Sequence, residues 1–232
     1  MARARKKPNA LSKLNFSIEE ITPLTLAQEH FFENYNTDSN HLLVGYPGTG
    51  KTFLSLYKAF GDLLEKEKEC IVLVRSAVPT RDVGFLPGNL DEKAEIYELP
   101  YKQITNELFG RGDAYEILKK HNIIRFITTS YVRGITLENA VVIADEFQNM
   151  TAHEADSIIT RLGRNSKIIY CGDFLQTDFI RVKDKDIDKF IEVIEEMDER
   201  FTKTKFEIDD IVRSGLVKDY IIKKYDMYED GY

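Results

Sequence analysis

The sequence predicts an α/β fold, a mostly parallel β-sheet sandwiched by helices in a single domain. Three observations predict it. Five short apolar runs rich in β-branched residues recur along the 232 residues, at 41–45, 70–75, 123–128, 140–145 and 167–172. Helical patterns separate them, and strands that alternate with helices build parallel sheets buried on both faces. The composition, 43% hydrophobic and 31% charged, is that of an ordinary globular chain long enough to bury one full core.

The elements follow in order. A helix around Thr25–Tyr35 precedes the first strand, His41–Gly45. Phe53, Leu56, Tyr57, Phe60 and Leu64 then fall at helical spacing, which predicts a core-facing helix over Thr52–Lys66. After the strand Cys70–Arg75, the stretch Pro79–Pro100 holds Gly84, Pro87 and Gly88 and no long periodic pattern. It reads as a long loop, a length usually tied to function or mobility. Strands at Ile123–Thr128, Ala140–Asp145 and Lys167–Gly172 are interleaved with helices at Ala152–Leu162 and Asp186–Met197. A last strand, Thr202–Ile208, leads to a helix from about Asp209 to Tyr225, with Asp209 placed to cap it. Residues 1–20 read as a basic mobile tail, and residues 21–232 as the domain.

Charge narrows the function classes. A net charge of −7 argues against coating duplex DNA by bulk electrostatics. It leaves room for a local groove, because a few cations and aromatic faces hold a single strand. Arg3, Arg5, Lys6 and Lys7 interrupt the acidity; a solvated tail is the ordinary reading and nucleic-acid contact the other. The basic start has no apolar stretch after it, so no signal peptide is expected, and no run approaches the roughly 18 apolar residues of a membrane span. Cys70 and Cys171 sit in apolar runs and read as buried reduced thiols of a cytoplasmic protein. His30, His41, His121 and His153 show no metal spacing.

Three segments carry chemistry. Gly45-Tyr46-Pro47-Gly48-Thr49-Gly50-Lys51-Thr52 fills every fixed position of the phosphate-binding GxxxxGK[ST] pattern, between a predicted strand and a predicted helix. Its backbone N–H groups and helix N-terminus suit phosphates, Lys51 the β- and γ-phosphates, and the Thr52 hydroxyl Mg2+. The run Val141-Val-Ile-Ala-Asp145-Glu146 ends a buried strand in two acids. Asp145 there suits magnesium, and Glu146 suits the general base that activates water in ATP hydrolysis. Tyr170-Cys-Gly-Asp173-Phe-Leu-Gln176 ends the next strand, where Asp173 and Gln176 can sense the γ-phosphate or position the water.

Here the sequence resembles known families. Gly172-Asp173-x-x-Gln176 is similar to motif III of superfamily one helicases, and Gln28 to their adenine-reading Q-motif. Arg75-Ser-Ala-Val-Pro79, followed by Gly84-Phe-Leu-Pro-Gly88-Asn-Leu-Asp-Glu-Lys93, resembles the signature of the PhoH family. So do Tyr131-Val-Arg133-Gly134-Ile-Thr136, Asp145-Glu-Phe-Gln148-Asn149 and Asp210-Ile-Val-Arg213-Ser, and the resemblance covers residues 22–225. Ile135 departs from the pattern where a second basic residue is expected, and Ala144 departs as well. The short form, with no nuclease domain ahead of it, resembles versions encoded by phages, which implies a host-cytoplasm location.

The resemblance implies a RecA-like P-loop NTPase fold and a Mg2+-dependent ATPase that acts on RNA or single-stranded DNA. It implies that Gln28 reads adenine and that Arg213, in a setting like motif VI, meets the γ-phosphate. Arg75 and Arg133 suit phosphate, nucleic acid or structural ion pairs, and Phe85, Tyr97 and Tyr101 suit base stacking or core packing. With room for one RecA-like domain, Arg213 either folds over its own phosphates or serves a neighbour in a homo-oligomeric ring, a hexamer by resemblance. A switch that gates a protein partner and a nucleotide kinase are the rival readings. The kinase lacks an arginine-rich lid, since Pro79–Pro100 holds only Arg81.

Overall fold

The computed structural model describes residues 11, 14, 16–36, 38–76, 90–173 and 185–229. Six parallel strands form one sheet: β1 (Asn40–Gly45), β2 (Cys70–Arg75), β3 (Ile124–Thr128), β4 (Ala140–Asp145), β5 (Lys167–Gly172) and β6 (Phe201–Phe206). Their order is β3-β2-β4-β5-β1-β6. β5 therefore lies between β4 and β1, pairing Ile143 with Ile169 on one side and Leu43 with Cys171 on the other. β6 is the edge strand beyond β1. Among the described residues no helix is long and apolar enough to cross a membrane.

Alternation within each strand divides the core in two. Leu43, Ile71, Leu73, Val141, Ile143 and Ile169 face one layer, which packs under α1 (Leu26–Asn34), α2 (Lys51–Leu64), α3 (Leu90–Leu108) and α4 (Ala114–Lys120). Their neighbours Leu42, Val72, Val74, Val142, Ile168 and Tyr170 face the other. That layer is closed by α5 (Thr129–Val132), α6 (Ala152–Ile159) and α7 (Lys185–Glu196). Side chains on consecutive strand residues point to opposite faces, so a strand covered on both sides must be apolar throughout. A third, small cluster joins Tyr46, Ile211, Ile221 and Tyr225 beneath α8 (Gly215–Glu229).

Three sequence expectations are corrected. The second half of the expected loop is helix α3, which runs through Pro100. Proline removes one helical N–H and normally ends a helix. Here Pro100 is exposed, while Glu98, Tyr101, Thr105 and Leu108 recur on one buried face and anchor the helix. Glu98 accepts hydrogen bonds from Tyr115 Oη at 2.8 Å and Lys119 Nζ at 2.6 Å. The buried stripe of α2 is Leu54, Leu56, Ala59, Phe60 and Leu63, so Phe53, Tyr57 and Leu64 lie at its margin. The last helix begins at Gly215, and Asp209 belongs to a separate 3-10 turn, Ile208–Asp210.

The amino edge of the sheet is held by a buried ion pair. Lys167 Nζ lies 2.7 Å from Asp62 Oδ2, donates to Asn36 O at 2.8 Å and sits 3.6 Å from the centre of the Tyr35 ring. Tyr35 Oη donates to Asp62 Oδ2 at 2.8 Å. His41, fully buried beside this group, stacks on Tyr35 and leaves Nδ1 without a hydrogen-bond partner. Burial, then the Lys167, His30 and Lys58 charges, push its pKa down to about 3. His41 is thus neutral in the fold, whereas the unfolded chain protonates it below about pH 6.5. Stability is complete above that pH and falls as pH drops toward 3, by about 1.4 kcal/mol per unit. Urea unfolding of His41→Phe from pH 7 to 5 should show a slope shallower by that amount; equal slopes would count against a neutral His41.

Candidate active site

The turn between β1 and α2 is shaped by glycines. A Cβ on Gly45 (φ +133°) would lie 1.9 Å from Phe206 O, so β6 passes too close for any side chain. Gly48 (φ +76°) is covered by Arg213, whose Cγ would lie 2.7 Å from a Cβ there. α2 starts at Gly50 with no side-chain cap and no acid in its first turn. The N–H groups of its first turn, with their partial positive charge, therefore face the glycines. Lys51 Nζ donates to Gly45 O at 2.9 Å and Tyr46 O at 2.7 Å. Burial lowers its pKa, and the Asp173, Glu146 and Asp145 charges oppose that shift.

Asp145 closes β4 at the bottom of this turn. Its Oδ1 accepts from Thr52 Oγ1 at 2.8 Å and its Oδ2 from Tyr101 Oη at 2.9 Å. Burial and the Glu146 charge raise its pKa; the two hydroxyls and the Arg75 charge pull it down. Burial, reinforced by Asp145, raises the Tyr101 phenol and keeps it a donor. Glu146 adopts the left-handed conformation (φ 52°, ψ 40°), which costs a non-glycine residue energy. Gln148 Nε2 donates to Glu146 Oε2 at 2.7 Å, while Gln148 Oε1 accepts from Asp173 N at 3.1 Å. One amide thus ties the ends of β4 and β5 together.

Asp173 is buried, and its Oδ2 accepts from Tyr225 Oη on α8 at 3.0 Å. Tyr225 also meets Tyr46 edge-on, with ring centres 4.6 Å apart. Gln176 and Phe85 lie outside the described residues. Arg213, expected on a helix, is on the connection that precedes α8, where Val212 N donates to Gly48 O at 3.1 Å. It reaches over the phosphate turn of its own chain.

Gln28, the expected adenine reader, packs against the turn. It is buried, donates from Nε2 to Thr49 O at 3.1 Å and accepts at Oε1 from Leu24 N at 2.9 Å. This braces α1 against the turn. Tyr101, a base-stacking candidate in the sequence, is fully buried against Asp145. Tyr97 is half-buried on α3, 5.7 Å from the Arg75 guanidinium, and Arg133 is exposed after β3. Sequence reasoning gives Gln148 and Tyr225 no role in the site and Tyr101 a different one. Only Gln148 carries a signal, since it falls within the Asp145–Asn149 motif.

The PhoH-like protein family matches residues 20–226. The chain belongs to that family. It is 36% identical to a PhoH-like protein of Bacillus subtilis over 209 residues, covering 90% of this chain and 65% of that one. It is 34% identical to Protein PhoH of Escherichia coli K12 over 192 residues, 82% of this chain and 54% of the relative. A PhoH-like protein of Mycobacterium leprae is 31% identical over 216 residues, 90% and 60%. This PhoH-like chain thus spans a little over half to two thirds of their lengths. Among solved structures, the large terminase of a thermophilic bacteriophage in complex with ADP superimposes with a TM-score of 0.50 at 12% identity, over 85% of this chain and 49% of that one. That likeness is one of fold, a parallel sheet sandwiched by helices.

If Gln28 braces the turn, Gln28→Ala should weaken ATP and GTP binding together, each by about tenfold for a lost buried hydrogen bond. Titration of both nucleotides checks it, and a changed ATP:GTP ratio would instead show that Gln28 reads the base.

Proposed function

We propose that this chain is a magnesium-dependent ATPase whose turnover is coupled to a strand of RNA or single-stranded DNA. The observation that supports it most is the meeting of Thr52 Oγ1 with Asp145 at 2.8 Å, beneath the uncapped start of α2 and next to Glu146. Hydroxyl and carboxylate oxygens are the hard donors that Mg2+ takes, one or two from protein and the rest from phosphate and water. Among the described residues no cluster of three or more His, Cys, Asp or Glu forms another metal site. Thr52 and Asp145 would hold the ion, which neutralises charge on the β- and γ-phosphates.

The chain's own residues supply the rest. Lys51 exchanges its carbonyl partners in the turn for phosphate oxygens. Glu146, steadied by Gln148, takes the proton of the attacking water. Arg213, over Gly48 of its own chain, offsets charge that grows on the γ-phosphate in the transition state. Asp173 sits within the field of Lys51 and reports on the same phosphate through β5.

Support for a nucleic-acid partner comes from the β2–β3 side of the carboxyl edge. Arg75, the exposed Tyr131 (58%) and the exposed Arg133 follow these two strands. Cations and an exposed aromatic near one end of a sheet suit a single strand. A ring of subunits rests on resemblance alone, and Arg213 lying over Gly48 of its own chain supports delivery in cis.

Lys51→Ala should abolish turnover and weaken ATP binding. Glu146→Gln should bind ATP normally and lose at least about 100-fold in rate, the scale of general-base catalysis. Wild-type turnover in Glu146→Gln would remove it as the base. Mixing Lys51→Ala with Arg213→Ala should restore no activity, whereas partial recovery would place the arginine in trans. Single-stranded RNA or DNA should raise the ATPase rate, and Tyr131→Ala should weaken strand binding by about 1–3 kcal/mol without altering the basal rate. No strand binding at low salt, with ATPase intact, would leave the protein-gating switch.

A further inference from the structure

We propose that Tyr101 is a positioning residue for Asp145: its hydroxyl fixes the plane of the carboxylate that holds magnesium. The inference rests on the ATPase reading above and deepens it. Asp145 is almost wholly buried at the end of a central strand and Tyr101 is fully buried on α3, yet the two residues are far apart in sequence. Asp145 Oδ1 and Oδ2 each accept one hydroxyl, from Thr52 at 2.8 Å and Tyr101 at 2.9 Å. Thr52 alone would leave the carboxylate free to rotate about its Cβ–Cγ bond. Tyr101 on the opposite oxygen removes that freedom.

A purely packing role accounts for the ring and not for the hydroxyl. The ring lies in the α1–α4 layer of the core, with Phe126 at 5.9 Å between ring centres. Phenylalanine would fill that volume. A buried hydroxyl aimed at a buried carboxylate is justified only by the partner it orients. Removing it leaves Oδ2 a buried acceptor without its donor and lets the plane turn away from the ion.

The same stretch of α3 holds a second contact with the site. Tyr97, one turn before Tyr101, meets Arg75, whose charge acts on Asp145 and Tyr101 alike. Pro100 lies between them and lacks the N–H that would bond to the Ile96 carbonyl. α3 therefore reaches the magnesium carboxylate directly through Tyr101 and electrostatically through Arg75.

The test compares Tyr101→Phe with Phe126→Leu, which loosens the same packing without touching the carboxylate. Binding of a fluorescent ADP analogue is measured in EDTA and across a Mg2+ titration, next to the Mg2+ dependence of the ATPase rate. Tyr101→Phe should raise the Mg2+ concentration at half-maximal binding and half-maximal rate by about tenfold, the scale of one hydrogen bond to a charged group. Its affinity in EDTA should stay at the wild-type value. Phe126→Leu should lower the melting temperature and leave the Mg2+ midpoint in place. An unshifted midpoint in folded Tyr101→Phe, or equal shifts in both variants, would overturn the proposal while the ATPase reading stands. Nucleotide binding by the wild type with no dependence on Mg2+ would overturn both.

Discussion

Asp145 is a carboxylate sealed at the end of the strand nearest the middle of the sheet, and its solvation must come from protein. A charge buried without partners costs several kcal/mol, enough to unfold a marginal domain. Three elements answer it: Thr52 from α2, Tyr101 from α3 and the Arg75 charge from the end of β2. Because each is anchored in the core, the carboxylate fixes how these elements meet. The phosphate turn inherits that alignment, since Thr52 is its last residue. A divalent cation bound here would meet a charge that the fold has already oriented.

The two edges of the sheet are built for different purposes. At the amino edge, Lys167, Asp62, Tyr35 and the Asn36 carbonyl form a closed, buried group. Removing one partner of such a pair is more costly than never having had it, which holds the edge to one arrangement. At the carboxyl edge the chain accepts strain instead. Glu146 takes a left-handed conformation at a cost, while Gly45 and Gly48 supply at no steric cost the positive φ angles the turn needs under close backbone and side-chain cover. Rigidity at one edge lets the other hold unfavourable geometry in place.

What the sequence made legible follows from which signals are local. β2, β4 and β5 begin and end where their runs do, because the interiors of strands buried on both faces hold no charged residue to blur the pattern. The phosphate turn was legible because its glycines answer to a local steric demand. α3 was not, since Pro100 and the glycines before it outweigh a buried face whose partners, Tyr115, Lys119 and Asp145, come later in the chain. Tyr101 was hidden for the same reason: only the sheet order brings it to Asp145. Asp209 has the right chemistry for a cap, yet the chain uses it and Asp210 in a 3-10 turn that aims the next segment at Gly48.

That segment changes what a single domain can do. A P-loop site that borrows its arginine needs an interface to deliver it, and rate then depends on assembly. Here Val212 is bonded to Gly48, Arg213 covers the same glycine, and the helix that follows sets Tyr225 on both Tyr46 and Asp173. The C-terminal segment thus meets the phosphate turn at Gly48 ahead of α8, and at Tyr46 and the end of β5 through Tyr225 on α8. A γ-phosphate that draws Lys51 or Asp173 into new contacts would act on α8 from both sides at once. Motion of α8 would in turn carry Arg213 toward or away from the phosphates. In this arrangement the phosphate turn, the end of β5 and the C-terminal segment are held together within one chain.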